Sequence, residues 1–174
     1  MPSGAVEARA DQSALLSGVI HEKWTSAELR KELEKWIDVE TGTCHDKSLP
    51  PESKQFIQEV YRDWRQSNAL PKDFVEAFSK QTSLSQHAWQ DARKTNDFKA
   101  FAPHLESMIR MAKEKAEHVG YKTVPYDALL DEFEPGGTQA QLTPLFKTLR
   151  EGIVDLLKDI QESDATFAKL TGPF

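Results

Sequence analysis

The sequence predicts an all-α fold, a multi-helix array of about six or seven helices with no significant sheet. Three observations carry that prediction. Apolar residues recur at intervals of three and four through most of the chain, and the breaks between those runs hold proline, glycine or capping residues. No alternating strand pattern is longer than Lys122-Thr123-Val124-Pro125-Tyr126. With 174 residues, 39% of them apolar and 29% charged, the chain is long enough for one domain with a core. Residues 1–174 are therefore expected to form a single helical domain, with 164–174 as a loose tail.

The elements follow in order. Val6, Ala10, Ala14, Leu16 and Ile20 lie on one helical stripe that ends near Trp24. Thr25 and Glu28 have capping-box spacing, in which a hydroxyl and a carboxylate satisfy the free N–H groups of a helix start. Leu29, Leu33, Trp36 and Ile37 then repeat at helical intervals, and Gly42 to Leu49 reads as a polar loop. Pro50 and Pro51 open the next helix, because proline's missing donor costs nothing in a first turn. Its inward face is Phe56, Ile57, Val60, Tyr61 and Trp64.

Pro71 opens another helix with Phe74, Ala77 and Phe78 inward, continuing after an irregular turn at Thr82 and Ser83 through Leu84, Ala88 and Ala92. Asn96 and Asp97 are N-cap residues for the run Phe98, Phe101, Leu105, Met108, Ile109, Ala112 and Ala116. Pro103 removes the hydrogen bond to Lys99, which predicts a short turn before it and a long helix after it. Gly120 is a left-handed stop. A short helix spans about Tyr126 to Phe133 and ends at Pro135-Gly136-Gly137. Thr138 and Gln141 form a second capping-box pattern, and Leu145, Leu149, Ile153, Leu156, Leu157 and Ile160 make the strongest stripe of the chain, with Pro144 bending its first turns.

Composition excludes several function classes. The net charge is −6, with Lys and Arg interleaved among Glu and Asp as on solvated helix surface. Nucleic acid, which needs a basic face to displace counterions, is not an expected partner. No apolar run approaches the roughly 18 residues of a membrane span, and the N-terminal residues lack a basic region followed by an apolar core. A single cysteine, Cys44, suits a reducing compartment, so the expectation is a cytoplasmic protein.

The residues able to carry chemistry are few. His21-Glu22-Lys23-Trp24-Thr25 begins like a zinc-peptidase motif, but its fifth position is threonine, so two imidazoles cannot face one metal from successive turns. Cys44 and His45 are sequence neighbours, a placement in which thiol and imidazole rarely face each other. His87 and Asp91 stand four apart, as a shared ligand pair or as a surface contact. Asp127, Asp131, Glu132 and Glu134 are acidic but lack the alternating oxygens and central glycine of a calcium loop. Asp127 and Asp131 can cap helices or accept from an arginine such as Arg93. The four tryptophans, Trp24, Trp36, Trp64 and Trp89, read as core or interface anchors.

Larger pieces of the sequence are more specific. Asn96-Asp97-Phe98-Lys99-Ala100-Phe101-Ala102-Pro103-His104-Leu105-Glu106, and the stretch from Pro125 to Gly136, lie within Gln86–Gly137. Met1-Pro2-Ser3-Gly4-Ala5, with Arg9, Gln12 and Leu15-Leu16 after it, and the segment His21 to Leu29 accompany them. Together they resemble the N-terminal region of the carboxypeptidase Taq family of zinc metallocarboxypeptidases. The resemblance implies a helical, cytoplasmic, homodimeric enzyme that removes C-terminal residues from peptides through a single metal. It also implies that the metal site, a His-Glu-x-x-His pair plus a later glutamate, lies downstream of these 174 residues. The expectation is thus a piece of the helical wall and lid of the substrate groove, with no catalytic residue and no metal ligand of its own, and inactive alone. Its partners would be the remainder of the carboxypeptidase chain and, in the complete enzyme, peptide substrates. Arg93, Asp97, Tyr126 and Asp127 are the polar residues expected to line the groove or lock helices together. The alternative is a stand-alone helical interaction or scaffold protein that reuses the fold. Helices built to pack on other parts should leave an apolar patch exposed, a feature that commonly mediates self-association.

Overall fold

The computed structural model describes residues 3–163; the expected tail, 164–174, lies outside them. The described residues form a short 3-10 turn (Ser3–Ala5), seven α-helices and a small hairpin. The helices are α1 (Val6–Trp24), α2 (Ala27–Leu33), α3 (Pro51–Asn68), α4 (Lys72–Thr95), α5 (Phe98–Val119), α6 (Pro125–Leu130) and α7 (Gln139–Glu162). The hairpin pairs β1 (Ile37–Asp38) antiparallel with β2 (Thr43–Cys44). The architecture is all-α, as the periodicity predicts. The chain divides into two compact units, Met1–Leu129 and Leu130–Phe174.

In the first unit α1 packs along α4, and α4 along α5. Small side chains make the first of these contacts close. Ala10 and Gly18 are the buried residues of α1, and the Ser17 hydroxyl bonds the Ser79 hydroxyl at 2.9 Å. The predicted α1 stripe is therefore only half right: Leu16 and Ile20 face outward, with Leu16 62% exposed. α4 seats on the smoother face of small residues, where backbones approach most closely. Two ion pairs frame the contact, Lys72–Glu22 and Lys80–Asp11, each at 2.6 Å. The Lys72 ammonium holds the Glu22 carboxyl below its ordinary range.

Several boundaries differ from expectation. The cap of α2 is Ser26, which accepts from the Leu29 N–H at 3.2 Å, whereas Thr25 closes α1 by donating to the His21 carbonyl at 2.8 Å. A hydroxyl beside a helix junction can serve either end, and here adjacent residues divide the work. α2 stops at Leu33, and Ile37 is fully buried from a strand instead of a helix. α4 runs unbroken through Thr82 and Ser83, whose hydroxyls turn back onto the Phe78 and Ser79 carbonyls at 2.8 and 3.1 Å. Asn96, at φ 55°, closes α4 in the left-handed region, and Asp97 alone caps α5 through the Ala100 N–H at 3.2 Å. Pro103 and Pro144 sit inside α5 and α7, as the sixth residue of each, and each costs one hydrogen bond without ending its helix. The short helix α6 ends at Leu130, three residues earlier than expected. The Thr138–Gln141 capping box is present in full.

A small core holds α2, the hairpin and α3: Leu33, Ile37 and Trp64, with Leu29, Val39, Cys44, Ile57, Val60 and Tyr61 packed against it. Gly42 takes φ 71°, and the Tyr61 ring lies 2.9 Å from where a Cβ would stand, so glycine suits this turn on both counts. The Tyr61 hydroxyl donates to the Val39 carbonyl at 3.0 Å, fixing the hairpin to α3. Asp38 braces the turn by accepting from the Glu40 and Thr41 N–H groups at 2.9 and 3.1 Å, the latter being the main cause of its lowered pKa. A carboxyl held below its unfolded value stabilises the fold above that value and loses the contribution as pH falls through the folded one. Asp38→Asn should therefore lower stability near neutral pH and flatten the decline between about pH 5 and pH 2. Urea midpoints across that range check it; parallel profiles for the two proteins would refute the bracing role.

Candidate functional site

The histidines come first, since they are the natural metal ligands. His21 is half-buried, and its Nε2 lies 3.0 Å from the Ser67 carbonyl and 2.9 Å from that of Leu70. Two acceptors on one nitrogen require Nε2 to carry the proton, so His21 ties the end of α1 to the α3–α4 turn. The imidazole is thus a strut between helices. His45 Nε2 bonds the Glu34 carbonyl at 3.2 Å, while Cys44 packs beneath the hairpin on the α2–α3 core. The thiol and imidazole thus serve separate structural contacts. His118 lies edge-on to Phe74, ring centroids 5.3 Å apart, with Glu114 at 3.9 Å.

His87 and His104 remain, and the fold brings them to one place. A cavity of about 410 Å³ is lined by Glu7 with Gly4 and Val6 from the chain start, by His87 and Leu84 from α4, and by His104 from α5. His87 Nδ1 lies 3.3 Å from Asp91 of its own helix. Periodicity and spacing assign His104 and Glu7 no role, because only tertiary packing sets them beside His87. A usable signal existed: Gly4, His87 and His104 each fall inside a family-like segment. Among the described residues no three His, Cys, Asp or Glu side chains are grouped as metal ligands. Chemically, the cavity offers hydrogen-bond donors and one carboxylate to a polar ligand.

The four predicted polar residues occupy two places. Arg93 and Asp97 flank the α4–α5 turn. The Arg93 guanidinium stacks over the Trp89 ring, 5.6 Å from its centroid, and Asp97 caps α5. Tyr126 and Asp127 stand in the first turn of α6, Tyr126 exposed and Asp127 half-buried. Asp131 accepts from the Gly136 N–H at 2.8 Å and so closes the turn after α6. Of the tryptophans, Trp64 is core, whereas Trp24, Trp36 and Trp89 are exposed.

A second concavity, about 580 Å³, lies between α2 and α3 and is walled chiefly by Leu29, Leu33, Trp36, Phe56, Ile57 and Val60. It is mostly apolar, with Glu32, Glu52 and Ser53 also on its lining, and suits packing more than reaction chemistry. No helix among the described residues is long and apolar enough to cross a membrane.

Comparison with known proteins agrees with this layout. Carboxypeptidase 1 of Bacillus subtilis is 33% identical over 162 residues, which is 93% of this chain and 31% of that protein. Thermostable carboxypeptidase 1 of Pyrococcus furiosus is 31% identical over the same shares. The chain therefore spans about a third of the length of these relatives, in their N-terminal region. Among solved structures, BsuCP superposes with a TM-score of 0.82 at 29% identity, covering 94% of this chain and 32% of that one. Trypanosoma cruzi metallocarboxypeptidase 1 gives 0.75 at 30% identity, covering 100% and 35%. The sequence profile for carboxypeptidase Taq (M32) metallopeptidases matches residues 1–172. On the strength of that end-to-end match, the chain belongs to the carboxypeptidase Taq (M32) metallopeptidase family.

Proposed function

We propose that this chain is the N-terminal helical part of a zinc-dependent metallocarboxypeptidase, a cytoplasmic homodimer that removes C-terminal residues from peptides, and that it has no turnover alone. The observation that carries the reading is coverage. The family profile runs through residues 1–172, yet the chain spans 31% of its relatives' length and its sequence contains no His-Glu-x-x-His. The relatives are named carboxypeptidases, which supplies the substrate class.

In this reading the chain forms part of the wall and lid of the peptide groove and packs against the remainder of the enzyme. Arg93, Asp97, Tyr126 and Asp127 line that groove or lock its helices. Glu7, His87 and His104 offer a further polar position on the wall, supported by the cavity they share. Metal analysis and release of the last residue from an N-blocked peptide test the proposal. The expected result is zinc well below one equivalent and no release; one equivalent of zinc with turnover would overturn the claim of inactivity.

The second reading is a stand-alone interaction protein, for which the apolar side chains of α7 left uncovered within their own unit would form the binding face. A His-Glu-x-x-His segment encoded in frame downstream would decide against it.

A further inference from the structure

The cavity bordered by Glu7, His87 and His104 has a chemistry of its own. It lies wholly within Met1–Leu129, so its form owes nothing to α7. At about 410 Å³ it falls in the range of small-ligand sites, roughly 300–1,000 Å³. Glu7 brings a carboxylate to it, and no lysine or arginine stands among its described lining residues. The neighbouring Lys80 is committed to Asp11, at 2.6 Å.

The imidazoles extend this polarity. A neutral imidazole has one donor and one acceptor nitrogen. The Asp91 carboxylate, 3.3 Å from His87 Nδ1, favours the tautomer with the proton on that nitrogen. His87 Nε2 is then left as an acceptor, with the negative charge of Asp91 behind its ring. Glu7, a ring acceptor and Asp91 together suit a cation with several N–H donors and disfavour an anion. Val6, Leu84 and Ala88 supply an apolar wall along which a short alkyl stem can lie while its charged head stays on the polar side.

We propose that this cavity binds a primary alkylammonium group, with the ammonium on Glu7 and His87 and the stem against Val6, Leu84 and Ala88. His104, whose tautomer no neighbour fixes, completes the polar side. A free amine and a lysine side chain share this chemistry. The site does not depend on the peptidase reading, because it needs only the fold of the first unit.

Nuclear magnetic resonance of the full 174-residue chain tests this, at about pH 8, where free imidazole is neutral and an alkylammonium charged. Butylammonium should move the ring signals of His87 and His104 saturably, with a Kd in the millimolar range. Butanol, with the same stem and no charge, should bind at least about ten-fold more weakly. Glu7→Gln keeps the shape of the side chain and should weaken butylammonium about ten-fold, with an unchanged circular dichroism spectrum. The ring nitrogen shifts of His87 in the free chain should show the proton on Nδ1. Nα-acetyl-lysine amide separates the two sources: binding tighter than butylammonium assigns the site to a peptide's lysine, and equal or weaker binding assigns it to a free amine. Butanol binding as well as butylammonium, indifference to Glu7→Gln, acetate moving the same signals in place of butylammonium, or His87 protonated on Nε2 would overturn the proposal.

Discussion

Trp64→Ala should cost about 3–5 kcal/mol, the range for removing a large buried aromatic, and lower the melting temperature by on the order of 10 °C. Trp64 is 4% exposed and shares its core with Leu33 and Ile37, neither of which has the bulk to fill the space its indole would leave. Tyr61 stacks on it with centroids 6.2 Å apart, and the Arg30 guanidinium lies 5.9 Å over its ring. Loss of Trp64 therefore releases the hairpin as well as α2 and α3. Its Nε1 is buried without a hydrogen-bond partner, which separates packing from polarity. Trp64→Phe removes the unpaired donor and keeps most of the ring, so it should fall within about 1.5 kcal/mol of the parent. Urea unfolding of the three proteins checks the order; equal losses for the two variants would show that the indole's edge, and not its bulk, holds this core.

What the sequence revealed and what it hid divide along a physical line. Helix starts were legible because they are set locally. Pro51 occupies a first turn, Asp97 caps with its own carboxylate, and Thr138 with Gln141 completes a reciprocal pair. Each needs only its neighbours. Which face is buried was not local. Leu16, Ile20 and the α7 stripe have the periodicity of core residues, yet the described fold leaves them exposed. Periodicity reports that a face wants cover and does not say what supplies it. The helix breaks failed for a related reason: a proline or a pair of hydroxyls raises the local cost of a helix, and packing along α4 and α5 outweighs it. The site followed the same rule. Arg93, Asp97, Tyr126 and Asp127 stand out in the sequence because their segments are distinctive, whereas Glu7, His87 and His104 become one place only when α4, α5 and the chain start meet.

Gly18→Leu should destabilise the first unit by about 3 kcal/mol, at the upper end of the usual cost of overpacking. Gly18 is buried where α1 meets α4, and a Cβ there would fall 2.9 Å from Glu76 Cγ and closer still to its carboxylate. The obstacle is a side chain and not backbone, so the size of the new residue decides the outcome. For Gly18→Ala, Glu76 can swing aside, and the gain of roughly 1 kcal/mol from a better helix former offsets the disturbance, leaving stability nearly unchanged. A leucine carries three more carbons into the same space, and α1 must lift from α4 to admit them. Lifting stretches the Ser17–Ser79 contact and the Lys72–Glu22 pair together, since both bridge the same two helices. Adding Glu76→Ala to Gly18→Leu should recover part of the loss by vacating the space, a coupling that independent sites would not show. Gly18→Leu unfolding at the same urea midpoint as the parent would mean that α1 and α4 are not held at the spacing these small residues set, and that the outward face of α1, with Leu15, Leu16, Val19 and Ile20, contributes more to its position than its inward one.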